Sequence, residues 1–190
     1  MRAPIGDFAT ATPAPEALGL LPAPVAAALR TWSGPVPADQ LLHVDTDPDK
    51  ADTAAFIETY GADLLHASAN CVVVAAKQGG ERRLAACLTL PATRADINGA
   101  VRRRLGARKV SFAPREVAVG ETGMEYGGIT PVGLPADWPV LVDAAVAALP
   151  WVLIGSGARR GKLIVPGKAL AALPGAEVVE ELALPLPESG

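Results

Sequence analysis

Side chains able to do chemistry are few in this sequence, and their spacing removes most of the familiar options. Asp45, Asp47 and Asp49 repeat like the first ligands of a calcium loop, but Lys50 stands where that loop needs glycine and Phe56 where it needs glutamate. The two histidines, His43 and His66, share no metal-binding spacing, so no metal is expected. Cys71 and Cys87 each sit in an apolar run and read as buried, reduced thiols. Gly155-Ser156-Gly157 follows a strand-like run as a dinucleotide loop would. Arg160, however, takes the place of the third glycine, and Lys162-Leu163-Ile164-Val165 reads as strand rather than helix. Ile154 and Ala158 deny Ser156 the glycines of a nucleophile elbow. No cofactor is expected from this inventory.

Two features remain. Gly127-Gly128-Ile129-Thr130-Pro131 combines glycines, which let a backbone turn and approach a ligand closely, with a proline that fixes the exit. Main-chain N–H groups in such a loop can hold a substrate and stabilise an oxyanion without any side-chain base. Arg94, Arg102, Arg103, Arg104, Arg108 and Lys109 concentrate positive charge in a chain of net charge −3. They read either as a solvated face or as a docking strip for nucleic-acid phosphates, to which Arg159, Arg160 and Lys162 could add.

The elements that must position these residues follow from periodicity. Residues 1–40 are rich in Ala, Pro and Thr and read as an irregular arm with one short helix over 25–32, so the folded domain is expected over 41–190. Leu41 to Val44 is a strand, and a helix capped by Asp49 runs to Tyr60. Cys71 to Ala76 is a strand buried on both faces. It returns through a turn at 78–81 as an antiparallel partner over 84–90. Thr93 opens a helix whose Ile97, Ala100, Val101 and Leu105 form one apolar stripe, closed by Gly106. Lys109 to Phe112 is a strand, Pro114 to Val119 a helix stopped by Gly120, and Pro139 to Val142 a strand. A helix over 143–149, strands over 151–154 and 163–165, a helix near 169–173 and a strand over 178–182 complete the set. The fold class is α+β: a mixed, curved, partly barrel-like sheet with helices packed around it.

Half of the residues are apolar but only 4% are aromatic, so the core is aliphatic. No run of about 18 apolar residues exists for a membrane helix. The first residues hold Pro4, Gly6 and Asp7 rather than an apolar signal region, so a cytoplasmic protein is expected.

The order of parts resembles the YbaK and prolyl-tRNA-synthetase-associated family of aminoacyl-tRNA editing domains, from about Ala67 to Leu182. The landmarks are the strand Asn70 to Ala76, the run Leu105-Gly106-Ala107-Arg108-Lys109-Val110, Thr122-Gly123, and Gly127 to Pro131 as the family's GxxxP loop. Leu134-Pro135, Val140-Leu141-Val142-Asp143 and Gly155-Ser156-Gly157-Ala158-Arg159-Arg160 follow in order. The resemblance implies a trans-acting deacylase that hydrolyses the ester of a mischarged tRNA, using backbone donors of Gly127, Gly128, Ile129, Thr130 and Pro131 and the neighbouring ribose hydroxyl. It implies that Asn70, Gly155, Ser156 and Gly157 bind substrate. Arg102, Arg103, Arg104, Arg108, Lys109, Arg159 and Arg160 would bind tRNA. The implied partner is the acceptor end of a mischarged tRNA, with no membrane partner and a monomer or weak homodimer as the working state. Many members carry lysine at the start of the first sheet strand, where this chain has Asn70. A binding module of the same fold, without turnover, is therefore the alternative, and a nucleotide-dependent oxidoreductase a distant third.

Overall fold

A computed structural model describes residues 1–51 and 53–186. Near the N-terminus, β1 (Ala11–Pro13) leads through 3₁₀ turns to α1 (Ala23–Arg30), which starts on Pro24 at its first turn. β2 (Leu42–Val44) pairs antiparallel with β1, and α2 (Thr53–Tyr60) follows. Asp49 falls inside a 3₁₀ turn ahead of α2 rather than at the helix start, and the carboxylate that caps this turn is that of Asp47. Its Oδ1 accepts from the Asp49 N–H at 2.9 Å, in a 3₁₀ turn over Pro48–Lys50.

The hairpin read from the sequence is present and longer than expected. β3 (Asn70–Gln78) pairs antiparallel with β4 (Glu81–Thr89), turning at Gly79 and Gly80 with φ of 59° and 88°. Cys87 is buried and Cys71 is half-buried; both are free thiols. Burial pushes the Cys87 thiol up to about 12 and the Cys71 thiol up as well, with Cys87 nearby adding to the effect.

The expected helix from Thr93 to Leu105 divides in two. Thr93–Ala95 is β5, and only Ala100–Arg104 is helical, as α3. The reason lies in Asp96, whose carboxylate accepts from the N–H groups of Gly99 and Ala100 at 3.0 and 2.9 Å and so starts the helix there. Beyond β6 (Lys109–Phe112), α4 runs over Arg115–Thr122, passing through Gly120. Its stop is Gly123, in the left-handed conformation at φ 66°.

The remaining elements are β7 (Val140–Asp143), α5 (Ala144–Ala147), β8 (Val152–Gly155), β9 (Lys162–Val165), α6 (Gly167–Ala171), β10 (Ala176–Val179) and β11 (Ala183–Pro185). Asp143 caps α5, its Oδ1 accepting from the Ala145 N–H at 2.8 Å.

The strands form a mixed sheet in the order β10-β7-β4-β3-β6, an antiparallel sheet β1-β2-β9-β8, and the small pair β11-β5. β7 runs parallel to both β4 and β10. The class is α+β with a mixed sheet as expected, and among the described residues no sheet closes on itself. Non-local parallel pairing supplies the mixed character, and hairpin signals alone do not reveal it.

Alternation of side chains explains the layers. Leu88, Val140 and Val142 of the mixed sheet meet Val152, Ile154, Leu163 and Val165 of the second sheet, with Val25 and Leu29 of α1, in the main core. Their neighbours Cys87 and Leu141 face the other way, onto Val101 of α3. On the outer side of the second sheet, Val44, Leu153 and Ile164 pack with Phe8 and Phe56. The N-terminal residues Ala14, Val25, Leu29 and Val36 thus belong to the main core. The two larger sheets are stitched together at the entrance to β3. There the Ala69 N–H donates to Leu153 O at 2.9 Å and the Leu153 N–H donates to Ala67 O at 2.7 Å.

His43, on β2, is 5% exposed. Burial pulls its pKa below the ordinary 6.5, against a smaller opposing effect of Asp45. The unfolded chain therefore takes up a proton near pH 6.5 that the folded chain resists, and stability falls as the pH drops through that value toward the folded-state pKa. Urea midpoints measured at about pH 7.5 and about pH 5.5 should fall more for the parent than for His43→Leu. Equal falls would remove His43 from the pH response.

Candidate active site

The stitch between the sheets brings the start of β3 against the end of β8, and a cavity of about 430 Å³ opens beside it. Asn70, Cys71, Val72 and Val73 of β3 line one side. Phe112 and Ala113 at the end of β6, Ala118 of α4, Tyr126, and Gly127 and Ile129 of the glycine loop enclose it. Gly155 of β8 and Lys162 of β9 close the wall. Ala113 is held there because its N–H donates to Val73 O at 2.9 Å.

The glycine loop is locked to the turn between β8 and β9. The Glu125 N–H donates to Gly157 O at 2.9 Å and the Gly157 N–H donates to Gly128 O at 2.7 Å. The Glu125 carboxylate accepts from the Arg159 N–H at 2.7 Å. Gly155 must be glycine for this closeness, since a Cβ there would lie 2.7 Å from Ile129 O. Gly127 has φ of 87°, a conformation that L side chains rarely adopt.

Within the loop the backbone donors divide clearly. The Gly128 N–H donates to Glu125 O at 3.0 Å, and the Thr130 N–H to Met124 Sδ at 3.5 Å. The N–H groups of Gly127 and Ile129 have no protein acceptor among the described residues. Those same two residues line the cavity. Paired donors such as these are what an oxyanion or carbonyl oxygen requires.

The other expected site residues separate into groups. Asn70 and Gly155 line the cavity with Gly127 and Ile129. Gly128, Thr130, Pro131, Ser156 and Gly157 stand behind its lining. Thr130 is fully buried and its hydroxyl has no hydrogen-bond partner. Ser156 is fully buried too, and its Oγ lies within 3.0–3.3 Å of Ala158 O, Arg160 O, Gly161 O and the Ala158 N–H. That network knots the β8–β9 turn.

Arg159 lies against Gly127 and donates from Nη2 to Pro48 O at 3.1 Å. Arg160 forms a two-pronged pair with Asp45, both contacts 2.8 Å, which holds the Asp45 carboxyl below its ordinary value. Arg102, Arg103 and Arg104 occupy α3, and Arg108 and Lys109 the approach to β6, away from the cavity lining. Arg104 pairs with Glu177 at 2.8 Å.

Three cavity residues carry chemistry that the sequence pattern places elsewhere or leaves aside. Phe112 and Tyr126 are 56% and 51% exposed although both line the cavity, and the Arg115 guanidinium stands 4.6 Å over the Tyr126 ring. Lys162, read from sequence as part of a basic strip, instead forms cavity wall. The signal for it was the register of β8 against β9, which sets Lys162 opposite Gly155. Among the described residues no three His, Cys, Asp or Glu side chains gather as metal ligands, and no helix is long and apolar enough to cross a membrane.

Comparison with known families gives a match to the model described as the aminoacyl-tRNA editing domain, over residues 47–173. Among solved structures, a proposed trans-editing enzyme for prolyl-tRNA synthetase is similar at 24% identity and a TM-score of 0.68. The match covers 83% of this chain and 93% of that one. A scaffold protein from work on epitope backbone grafting by computational design is similar at 22% identity and TM-score 0.68, over 83% and 94% of the two chains. A hypothetical protein, APE2540, is similar at 21% identity and TM-score 0.59, over 71% and 84%. At these identities the likeness is one of fold.

Proposed function

Because the chain belongs to the aminoacyl-tRNA editing domain family, we propose that it is a deacylase that frees a wrongly attached amino acid from the end of a tRNA. One observation carries this reading: of residues 127–131, the two whose N–H groups have no acceptor among the described residues, Gly127 and Ile129, are the two that line the cavity. Water adds to the ester carbonyl carbon, and the negative charge on the carbonyl oxygen is held by those N–H groups. The bond to the ribose oxygen then breaks, giving a free amino acid and an intact ribose. The neighbouring ribose hydroxyl relays the proton of the attacking water to the departing ribose oxygen, a role that no histidine or carboxylate among the described residues lining the cavity would fill. Asn70 offers an amide for substrate hydrogen bonds at the entrance. Gly128, Thr130 and Pro131 hold the shape of the loop. Gly155, Ser156 and Gly157 hold the facing turn.

The test is a mischarged tRNA whose terminal ribose lacks the neighbouring hydroxyl. It should bind as the parent substrate does and not turn over. Unchanged turnover would rule out substrate assistance.

The arginines of α3 lie outside the cavity lining and are assigned to the tRNA backbone on their charge alone. Arg102, Arg103 and Arg104 changed together to Ala should weaken tRNA binding and flatten its salt dependence by about two counterions' worth of slope, since Arg104 is already paired with Glu177. Fold and turnover of a minimal acceptor-end substrate should stay. A triple variant that binds with the parent's salt slope would make this face a solvated one.

A further inference from the structure

Lys162 is a cation placed in the cavity wall with no carboxylate paired to it among the described residues. Strand alternation puts its side chain on the same face as Ile164, over the Phe8 and Phe56 cluster, and its Nζ lies 5.7 Å from the centre of the Phe56 ring. The residue is half-buried. Burial, and then the nearby Arg159 charge, pull its pKa down. No carboxylate lies within ion-pair distance of it among the described residues. Asp45 is paired with Arg160, and the Glu125 carboxylate accepts from the Arg159 N–H. A partly desolvated ammonium with no counterion costs free energy. The loss is offset when a ligand brings the negative charge.

The position narrows which ligand that is. Lys162 and Asn70 line both the main cavity and a smaller one that Phe56, Leu64 and Leu153 also line. In the sheet register Lys162 faces Gly155, which abuts the carbonyl of Ile129. The ammonium therefore stands on the same wall as the ester-binding loop. An aminoacyl ester has already used its carboxylate, its α-amino group is cationic, and the terminal base and sugar are neutral. The negative charge next to that ester is the phosphodiester on the 5′ side of the terminal ribose.

We propose that Lys162 binds this terminal phosphodiester, anchoring the last nucleotide so that its ester reaches Gly127 and Ile129. The proposal rests on the editing reading for the identity of the ligand. Lys162 is then a binding residue within the cavity, separate from the basic strip on α3.

The test uses the dinucleotide cytidylyl-(3′→5′)-adenosine and its neutral methylphosphonate counterpart, which differ in the charge of one linkage. Affinities are measured by calorimetry for the parent, Lys162→Gln and Lys162→Arg, with thermal unfolding checked for each. The parent should bind the charged dinucleotide about tenfold or more tightly than the neutral one, the gain expected of a charge-assisted hydrogen bond. Lys162→Gln should bind both alike, at the level of the neutral compound, and Lys162→Arg should keep the preference. Equal binding of the two compounds by the parent, or a preference that survives in Lys162→Gln, would overturn the assignment. A Lys162-dependent preference in a protein that deacylates no aminoacyl-tRNA would instead leave the phosphate site standing and remove the editing reading.

Discussion

Gly127→Ala is expected to lower deacylation on the order of a hundredfold, the usual cost of losing an oxyanion donor. The space around the new methyl is not the main obstacle. A Cβ at Gly127 would come 3.1 Å from Arg159 Nη1, the far end of a flexible side chain. The backbone is the obstacle, because φ of 87° is strained for alanine. Relief of that strain turns the peptide and moves the N–H away from the ester. Thermal stability and tRNA binding should change far less than turnover. Thr130→Val makes the matching control. Its hydroxyl is buried and unpartnered, so its loss should be neutral or stabilising by about 1 kcal/mol, with turnover close to the parent's. The loop's backbone, not its side chains, would then carry the chemistry. A Gly127→Ala enzyme at the parent's rate, or a dead Thr130→Val enzyme, would reverse that assignment.

Gly155→Ala should be more damaging still, and to stability as well. Its Cβ would press on the carbonyl oxygens of Gly128 and Ile129, which are backbone atoms of the loop itself. Neither can swing aside as a side chain can. The β8–β9 turn and the glycine loop must separate, which should cost about 3 kcal/mol of unfolding free energy. The hydrogen bond from the Gly157 N–H to Gly128 O would be strained with them. Urea unfolding and turnover measured on one preparation should show both losses. A variant with unchanged midpoint and rate would mean that the two loops are not mechanically joined.

What could be read from the sequence was mostly local. The β3–β4 hairpin announced itself by an apolar run, a Gly-Gly turn and a second apolar run, and Gly127 to Pro131 by composition alone. The β5 strand was obscured because Ile97, Ala100, Val101 and Leu105 mimic a helical stripe. The competing signal was Asp96 three residues before Gly99, whose carboxylate caps α3. Gly120 looked like a helix stop, but α4 passes through it and ends at Gly123, where the positive φ falls. The parallel pairing of β7 with β4 joins Val140 to Ala86, far apart in the chain, and no local pattern encodes it. The β8–β9 hairpin that sets Lys162 across from Gly155 is local, but the Phe56 ring near its ammonium comes from a distant helix. The glycine loop and Lys162 were both legible as candidates, while their meeting at one cavity was not.

The decisive measurement is the rate of amino acid release from a panel of mischarged tRNAs, each carrying a different wrong amino acid, with catalytic amounts of the purified protein. Multiple turnovers on at least one member, lost in Gly127→Ala while tRNA binding persists, is the expected result. Binding of the panel with no release from any member would contradict it, and would leave a module that holds aminoacyl-tRNA without hydrolysing it.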